Sequence, residues 1–322
     1  MKQAVFLFPG QGSQEPGMGK ALAEAYPAAG ALYRRARAVL GDRLVDGLVG
    51  ADREELMETR VAQPAVFLAS MAAAEALRSL GVSAVGAAGH SLGEYSALVA
   101  AGVLTFENGL RIVRERGRLM AECAARAKGG MAAIIGLKIG EMRRLVEQTS
   151  GTCPVEIANL NAPDQIVVSG IEECVETFAA IAVERGARRA VRLKVSGAFH
   201  SALMSPVSEQ LARLFEHYEF TAPRVPLVCN VTGDYVSDPV EIKRFLAEQV
   251  SRPVQWHASM NRFLDRGYRL FVEVGPGRVL KGLMKRISPA GTRVLSAGRP
   301  EAVRRTAQEL LEPECSSGAP AT

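Results

Sequence analysis

The chain has 322 residues, enough for one large domain or two smaller ones, and its 48% hydrophobic and 23% charged residues describe an ordinary globular composition. No run of 18 apolar residues exists to cross a membrane, and the apolar opening from Ala4 to Phe8 is too short for a signal peptide. The net charge of +5 is mild and scattered, without a basic run interleaved with aromatics, so neither nucleic acid nor a membrane is an expected partner. Cys123, Cys153, Cys174, Cys229 and Cys315 show no C-x-x-C spacing, which argues for reduced thiols in a cytoplasmic protein rather than a disulfide framework or a zinc site.

Ala4 to Phe8 predicts a buried strand closed by Pro9-Gly10. The loop Gly10-Gln11-Gly12-Ser13-Gln14 follows. It has the look of a dinucleotide fingerprint, but Glu15 stands where the third glycine would be. The other reading is a loop laid over the strand ends that offers a backbone N–H to an oxyanion. Ala62 to Leu80 predicts a long helix stopped by Gly81.

A short small-residue strand then runs to about Ala88 and a helix begins near Leu92, with Gly89-His90-Ser91-Leu92-Gly93 between them. That is a G-x-S-x-G elbow, which exposes a serine on a strained strand-to-helix turn, its glycines letting the backbone bend. The free N–H groups and positive dipole end of the helix face the same spot. A structural turn with a capping serine is the plainer reading until a base and an oxyanion site are found.

A further helix is predicted from Thr105 to about Ala127. At ~100° per residue, Gly109, Leu110, Ile112, Val113, Gly117, Leu119 and Met120 form one apolar face, with Arg111, Arg114, Glu115 and Arg118 opposite. Arg116 projects from the apolar face. An inward arginine is costly unless it meets an anion. It is either half of a structural ion pair or a clamp for a substrate carboxylate, to which the guanidinium fork is suited.

After the break at Lys128-Gly129-Gly130 the pattern changes. Strands at 131–136, 154–159, 165–169 and 188–193 and helices at 140–149 and 171–186 give a β-α-β-β-α-β order, that of a ferredoxin-like unit. Asn159 and Asn161, where its second strand ends, are turn residues or the polar lining of a cleft. Of the four histidines, His217 is placed in a polar helix from Glu209 to Tyr218, His257 near a helix start, and His90 inside the elbow pointing away from Ser91. His200 sits in a small-residue loop and is the best candidate base. A strand at 227–231, a helix at 240–250, a strand at 269–274, a helix at 279–287, a strand at 293–296 and a helix at 300–311 complete the pattern. The expected fold is α/β: an α/β-hydrolase-like large domain with a short parallel sheet (1–128 and 198–311), an inserted ferredoxin-like α+β subdomain (129–197), and a disordered tail (312–322).

Gly10-Gln11-Gly12-Ser13-Gln14, Gly89-His90-Ser91-Leu92-Gly93-Glu94, Arg116-Gly117, Phe199-His200-Ser201 and Val272-Glu273-Val274-Gly275-Pro276-Gly277 occur together and in order. In this set, which spans nearly the whole chain, the protein resembles the bacterial malonyl-CoA:acyl-carrier-protein transacylases. The resemblance implies ping-pong transfer of malonyl from malonyl-CoA to the phosphopantetheine thiol of acyl carrier protein in fatty acid biosynthesis. Ser91 would be the nucleophile, His200 the base, and the N–H groups of Gln11 and Leu92 the oxyanion donors, at ~3–4 kcal/mol each. Arg116 would pair with the malonyl carboxylate, and a main-chain carbonyl at Gln249 would orient His200 in place of an acid. Gln63 matches a position near the site, Phe199 would crowd an α-methyl group and so favour malonyl over methylmalonyl, and Asn161 joins them as a substrate-binding candidate. No cofactor or metal is implied, the CoA thioester being a substrate, and a monomer is expected. The alternatives are a stand-alone acyltransferase of a polyketide pathway, a serine esterase or thioesterase, and a non-catalytic carrier-binding module.

Overall fold

The computed structural model describes residues 2–195 and 197–312. Its strands are β1 (Val5–Phe8), β2 (Gly86–Gly89), β3 (Gly129–Ile135), β4 (Val155–Ala162), β5 (Gln165–Ile171), β6 (Arg189–Arg192), β7 (Leu270–Glu273) and β8 (Arg293–Ser296). They form two sheets, giving a mixed α/β fold. One is parallel, in the order β2-β1-β7-β8, and the other antiparallel, in the order β4-β5-β3-β6.

β1 is central in the parallel sheet and buried on both faces, as its unbroken apolar sequence requires. Phe6 and Phe8 enter the larger core, while Val5 and Leu7 enter a smaller one with Trp256, Phe263 and Phe271. The antiparallel sheet is two-faced in the same way. Ala132, Ile134, Ile166 and Val168 pack beneath the helices Ile139–Thr149 and Glu172–Glu184 with Val175 and Phe178. Met131, Ala133 and Val167 alternate to the opposite face and join the larger core. A backbone ladder ties this sheet to the rest: Leu160 N–H donates to the Val254 carbonyl and Val254 N–H to that of Ala158, both at 2.9 Å.

Three expectations are corrected. Residues 227–231 form no strand. Leu227 makes a single bridge to Ala87, and the chain then reverses through Gly233, at φ 66°, so that Val228 faces Tyr235. The helix expected to hold His217 is Ser205–Phe215 and ends before it, as Phe215 and Phe220 pack together across the turn. The helix expected at 240–250 is Pro239–Glu248, followed by a tighter turn at Gln249–Ser251. Helices Lys20–Ala25, Pro27–Leu40 and Asp42–Gly50 have no counterpart among the expectations, although Ala29, Leu32, Tyr33 and Ala36, all buried, carry helical spacing. The tail expected to be disordered, at 312–322, lies from residue 313 on outside the described residues.

Candidate active site

β2 delivers the chain into the elbow and the helix Gly93–Ala100 carries it away. The strain falls on the serine. Ser91 has φ 50°, and only His200, at φ 60°, shares this left-handed conformation among the described non-glycine residues. Such a backbone costs about 1–3 kcal/mol and is held by its surroundings. The flanking glycines serve close approach rather than bending: neither has a positive φ. A Cβ at Gly89 would lie 1.9 Å from the Gly93 carbonyl carbon, and one at Gly93 would lie 2.0 Å from the Phe8 carbonyl oxygen. Gly10 likewise brings the first loop onto the elbow, since a Cβ there would meet the His90 carbonyl oxygen at 2.4 Å.

Ser91 Oγ lies 2.8 Å from His200 Nε2. On the far side of the ring, Nδ1 faces the carbonyl oxygens of Gln249 at 2.8 Å and Arg252 at 3.2 Å. Carbonyls only accept, so Nδ1 carries the proton, and Nε2 is left to accept from the serine hydroxyl. Burial, and after it the nearby Arg116 cation, pushes the His200 pKa down to about 3, so the imidazole stays neutral. His200 N–H donates to the Val250 carbonyl at 2.9 Å, which pins the residue to the same turn.

Arg116 is buried, as its place on the apolar face of the helix Phe106–Arg126 requires, and enters no ion pair among the described residues. A structural ion pair is therefore not its role. Nη1 donates to Gln63 Oε1 at 2.7 Å, and Nη2 to Gln249 Oε1 at 2.9 Å and to Ser91 Oγ at 3.2 Å. Nε has no partner among the described residues, and the guanidinium lies 5.4 Å from the centre of the Tyr95 ring. Four of the anticipated residues, Ser91, His200, Arg116 and Gln249, thus meet at one point.

The remaining candidates line or border the same cleft of about 640 Å³, walled by Gln11, Gln63, Asn161 and Phe199 and by the apolar Met131, Ala133 and Val167. Gln63 contacts Arg116 and, through Nε2, the Met120 sulfur at 3.3 Å. Asn161 Oδ1 accepts from His90 Nε2 at 2.7 Å, so this histidine points away from Ser91, with its ring against Trp256. Neither the Gln11 nor the Leu92 backbone N–H donates to a protein acceptor among the described residues. Three participants were not anticipated: Asn230, whose Oδ1 accepts from Ser91 N–H at 2.7 Å; the side chain of Gln249; and Glu94 behind both. Glu94 stands in the quoted motif Gly93-Glu94, and burial raises its pKa to about 7.

A strained elbow serine, a neutral histidine oriented by carbonyls and a buried cation with no carboxylate partner define a serine enzyme built to handle an anionic acyl group. The comparisons make this specific. The acyl transferase domain family matches residues 5–307. The malonyl CoA-acyl carrier protein transacylase of Bacillus subtilis is 41% identical over 313 residues, covering 97% of this chain and 98% of that protein. The acyl-carrier-protein S-malonyltransferase of Bartonella henselae superposes with a TM-score of 0.90 at 38% identity, covering 96% of this chain and 99% of the other. A malonyl transacylase solved in complex with its type II polyketide synthase acyl carrier protein gives 0.89 at 36% identity, covering 96% and 100%. The chain belongs to the acyl transferase family, among the malonyl-CoA–acyl carrier protein transacylases.

Proposed function

We propose that this protein transfers malonyl from malonyl-CoA to the phosphopantetheine thiol of acyl carrier protein through a malonyl-Ser91 ester, in fatty acid biosynthesis. One observation carries the reading: a single oxygen, Ser91 Oγ, is held between a neutral base at 2.8 Å and a buried, carboxylate-free cation at 3.2 Å. The hydroxyl proton passes to His200 Nε2 as Oγ adds to the thioester carbonyl. The unengaged N–H groups of Gln11 and Leu92 are the candidates to receive the oxyanion. Collapse breaks the C–S bond, and His200 returns the proton to the CoA thiolate. In the second half the carrier thiol gives its proton to His200, its sulfur attacks the ester, and the proton goes back to Ser91 Oγ as the C–O bond breaks. Arg116 takes the malonyl carboxylate throughout, and Phe199, buried next to the base, narrows the space beside the α-carbon.

The β-α-β-β-α-β order and the strand order β4-β5-β3-β6 support a ferredoxin-like subdomain at 129–197, inserted in an α/β-hydrolase-like domain at 1–128 and 198–311. The chemistry needs no cofactor or metal. We place the protein in the cytoplasm as a monomer; no described helix is long and apolar enough to cross a membrane. A polyketide carrier is the second reading, favoured by the solved complex with such a carrier. The test incubates the protein with malonyl-CoA and holo-carriers of both kinds and follows the acyl group. Transfer to a carrier thiol faster than to water is expected, and the faster carrier decides between the two readings. Dominant hydrolysis with carrier present would make the protein an esterase instead.

A further inference from the structure

Glu94 takes no part in these steps, yet it is a carboxylate only 4% exposed in the first turn behind the nucleophile. Both of its oxygens are engaged: Oε2 accepts from Gln249 Nε2 at 2.5 Å and Oε1 from the Asn230 N–H at 3.2 Å. Gln249 Nε2 also donates to the Ser91 carbonyl at 2.9 Å, and Gln249 Oε1 accepts from Arg116 Nη2 at 2.9 Å. Two acceptors on one side of the amide and a cationic donor on the other leave it a single orientation. When ionised, the carboxylate dominates that choice, because it only accepts and its hydrogen bonds are about twice as strong as neutral ones. A direct Glu94–Arg116 ion pair would occupy the cation that the substrate needs. The interposed amide holds the guanidinium in place and leaves it without a carboxylate.

We propose that Glu94 is a positioning residue that sets the preference for malonyl: acting through the side-chain amide of Gln249, it keeps Arg116 aimed at the nucleophile. The proposal rests on the malonyl-transfer reading. Its test measures kcat and KM with malonyl-CoA and with acetyl-CoA for wild type, Glu94→Gln, Gln249→Met and the double variant. A glutamine at 94 has one acceptor and one donor end, so it cannot accept from both Gln249 and Asn230. The malonyl-over-acetyl ratio in kcat/KM is expected to fall about tenfold, the scale of one hydrogen bond to a charged group, mainly through a higher KM for malonyl-CoA. Gln249→Met keeps the backbone carbonyl that faces His200 and loses the amide, so it is expected to lower the ratio similarly. The double variant is expected to lower it no further, because each change breaks the same link.

Equal losses for malonyl and acetyl in Glu94→Gln, the signature of mere elbow support, would overturn the proposal. So would additive effects in the double variant. Should Glu94→Gln fail to fold, an unchanged ratio in Gln249→Met overturns it alone, and a lowered ratio supports it. Wild type that forms no malonyl ester removes the malonyl-transfer reading and this proposal together. Wild type that transfers malonyl beside variants with an intact ratio removes only the positioning role.

Discussion

Replacing Arg116 by alanine isolates the part of the site proposed to select the acyl group. The guanidinium is 1% exposed and is held only by amide and hydroxyl oxygens, so a substrate carboxylate would meet it nearly unscreened by solvent or salt. Removing one partner of such a buried pair costs ~3–5 kcal/mol. At about 1.4 kcal/mol per decade, the lower end corresponds to roughly a hundredfold loss in kcat/KM for malonyl-CoA. Acetyl-CoA has no carboxylate to lose. For it the variant forfeits, at the reacting oxygen, the Nη2–H···Oγ contact to Ser91, on the scale of about tenfold. The assay is initial-rate transfer to holo-carrier with each thioester, with thermal melting to confirm that both proteins are folded. Equal losses for the two substrates in a folded variant would refute the clamp.

Three further outcomes follow from the same geometry. Ser91→Gly and Ser91→Ala both remove the proposed nucleophile, but glycine accepts φ 50° without a Cβ penalty, so its variant should melt higher, by ~1 kcal/mol in stability; equal melting would show that the elbow is not strained. Gly93→Ala sets a Cβ 2.0 Å from the Phe8 carbonyl oxygen, so a loss above ~3 kcal/mol and no acyl transfer are expected, and a stable, active variant would contradict the close approach. In pH profiles with acetyl-CoA, which does not need the Glu94–Gln249–Arg116 link, the acidic limb of kcat/KM should fall well below the ordinary histidine value of about 6.5, because burial and then Arg116 hold His200 neutral down to about 3. A free-enzyme limb at about 6.5 would contradict the assignment.

What could be read from the chain alone divides along sequence distance. The elbow is a local motif, and the inward turn of Arg116 is a local fact of helical spacing, so both were legible. His200 emerged by comparing four histidines for their settings. Asn161 was legible only as a turn or cleft-lining residue at a strand end, whereas Gln63 and the position of Gln249 came through family likeness, because nothing near them in the chain signals their partners. Glu94 was in plain view but silent: Asn230 and Gln249, which give it meaning, lie 136 and 155 positions away. The strand expected at 227–231 failed for a related reason. Its apolar pattern suits a strand, but Asn230 is drawn to the elbow by bonds to Ser91 and Gly89, and the chain reverses after it. The glycines of the elbow were legible as necessary but not for the right cause, since close approach is visible only once Phe8 and the loop at Gly10 are in place.

The central claim is that one oxygen carries the acyl group between two thiols. Its most direct measurement is rapid quenching of the protein with malonyl-CoA, followed by peptide mass spectrometry and a chase with holo-carrier. The account predicts a malonyl ester on the peptide that contains Ser91, its loss on the chase, and an equal gain of malonyl on the carrier. A protein that passes malonyl to the carrier with no ester at Ser91, or with one on another residue, would contradict it.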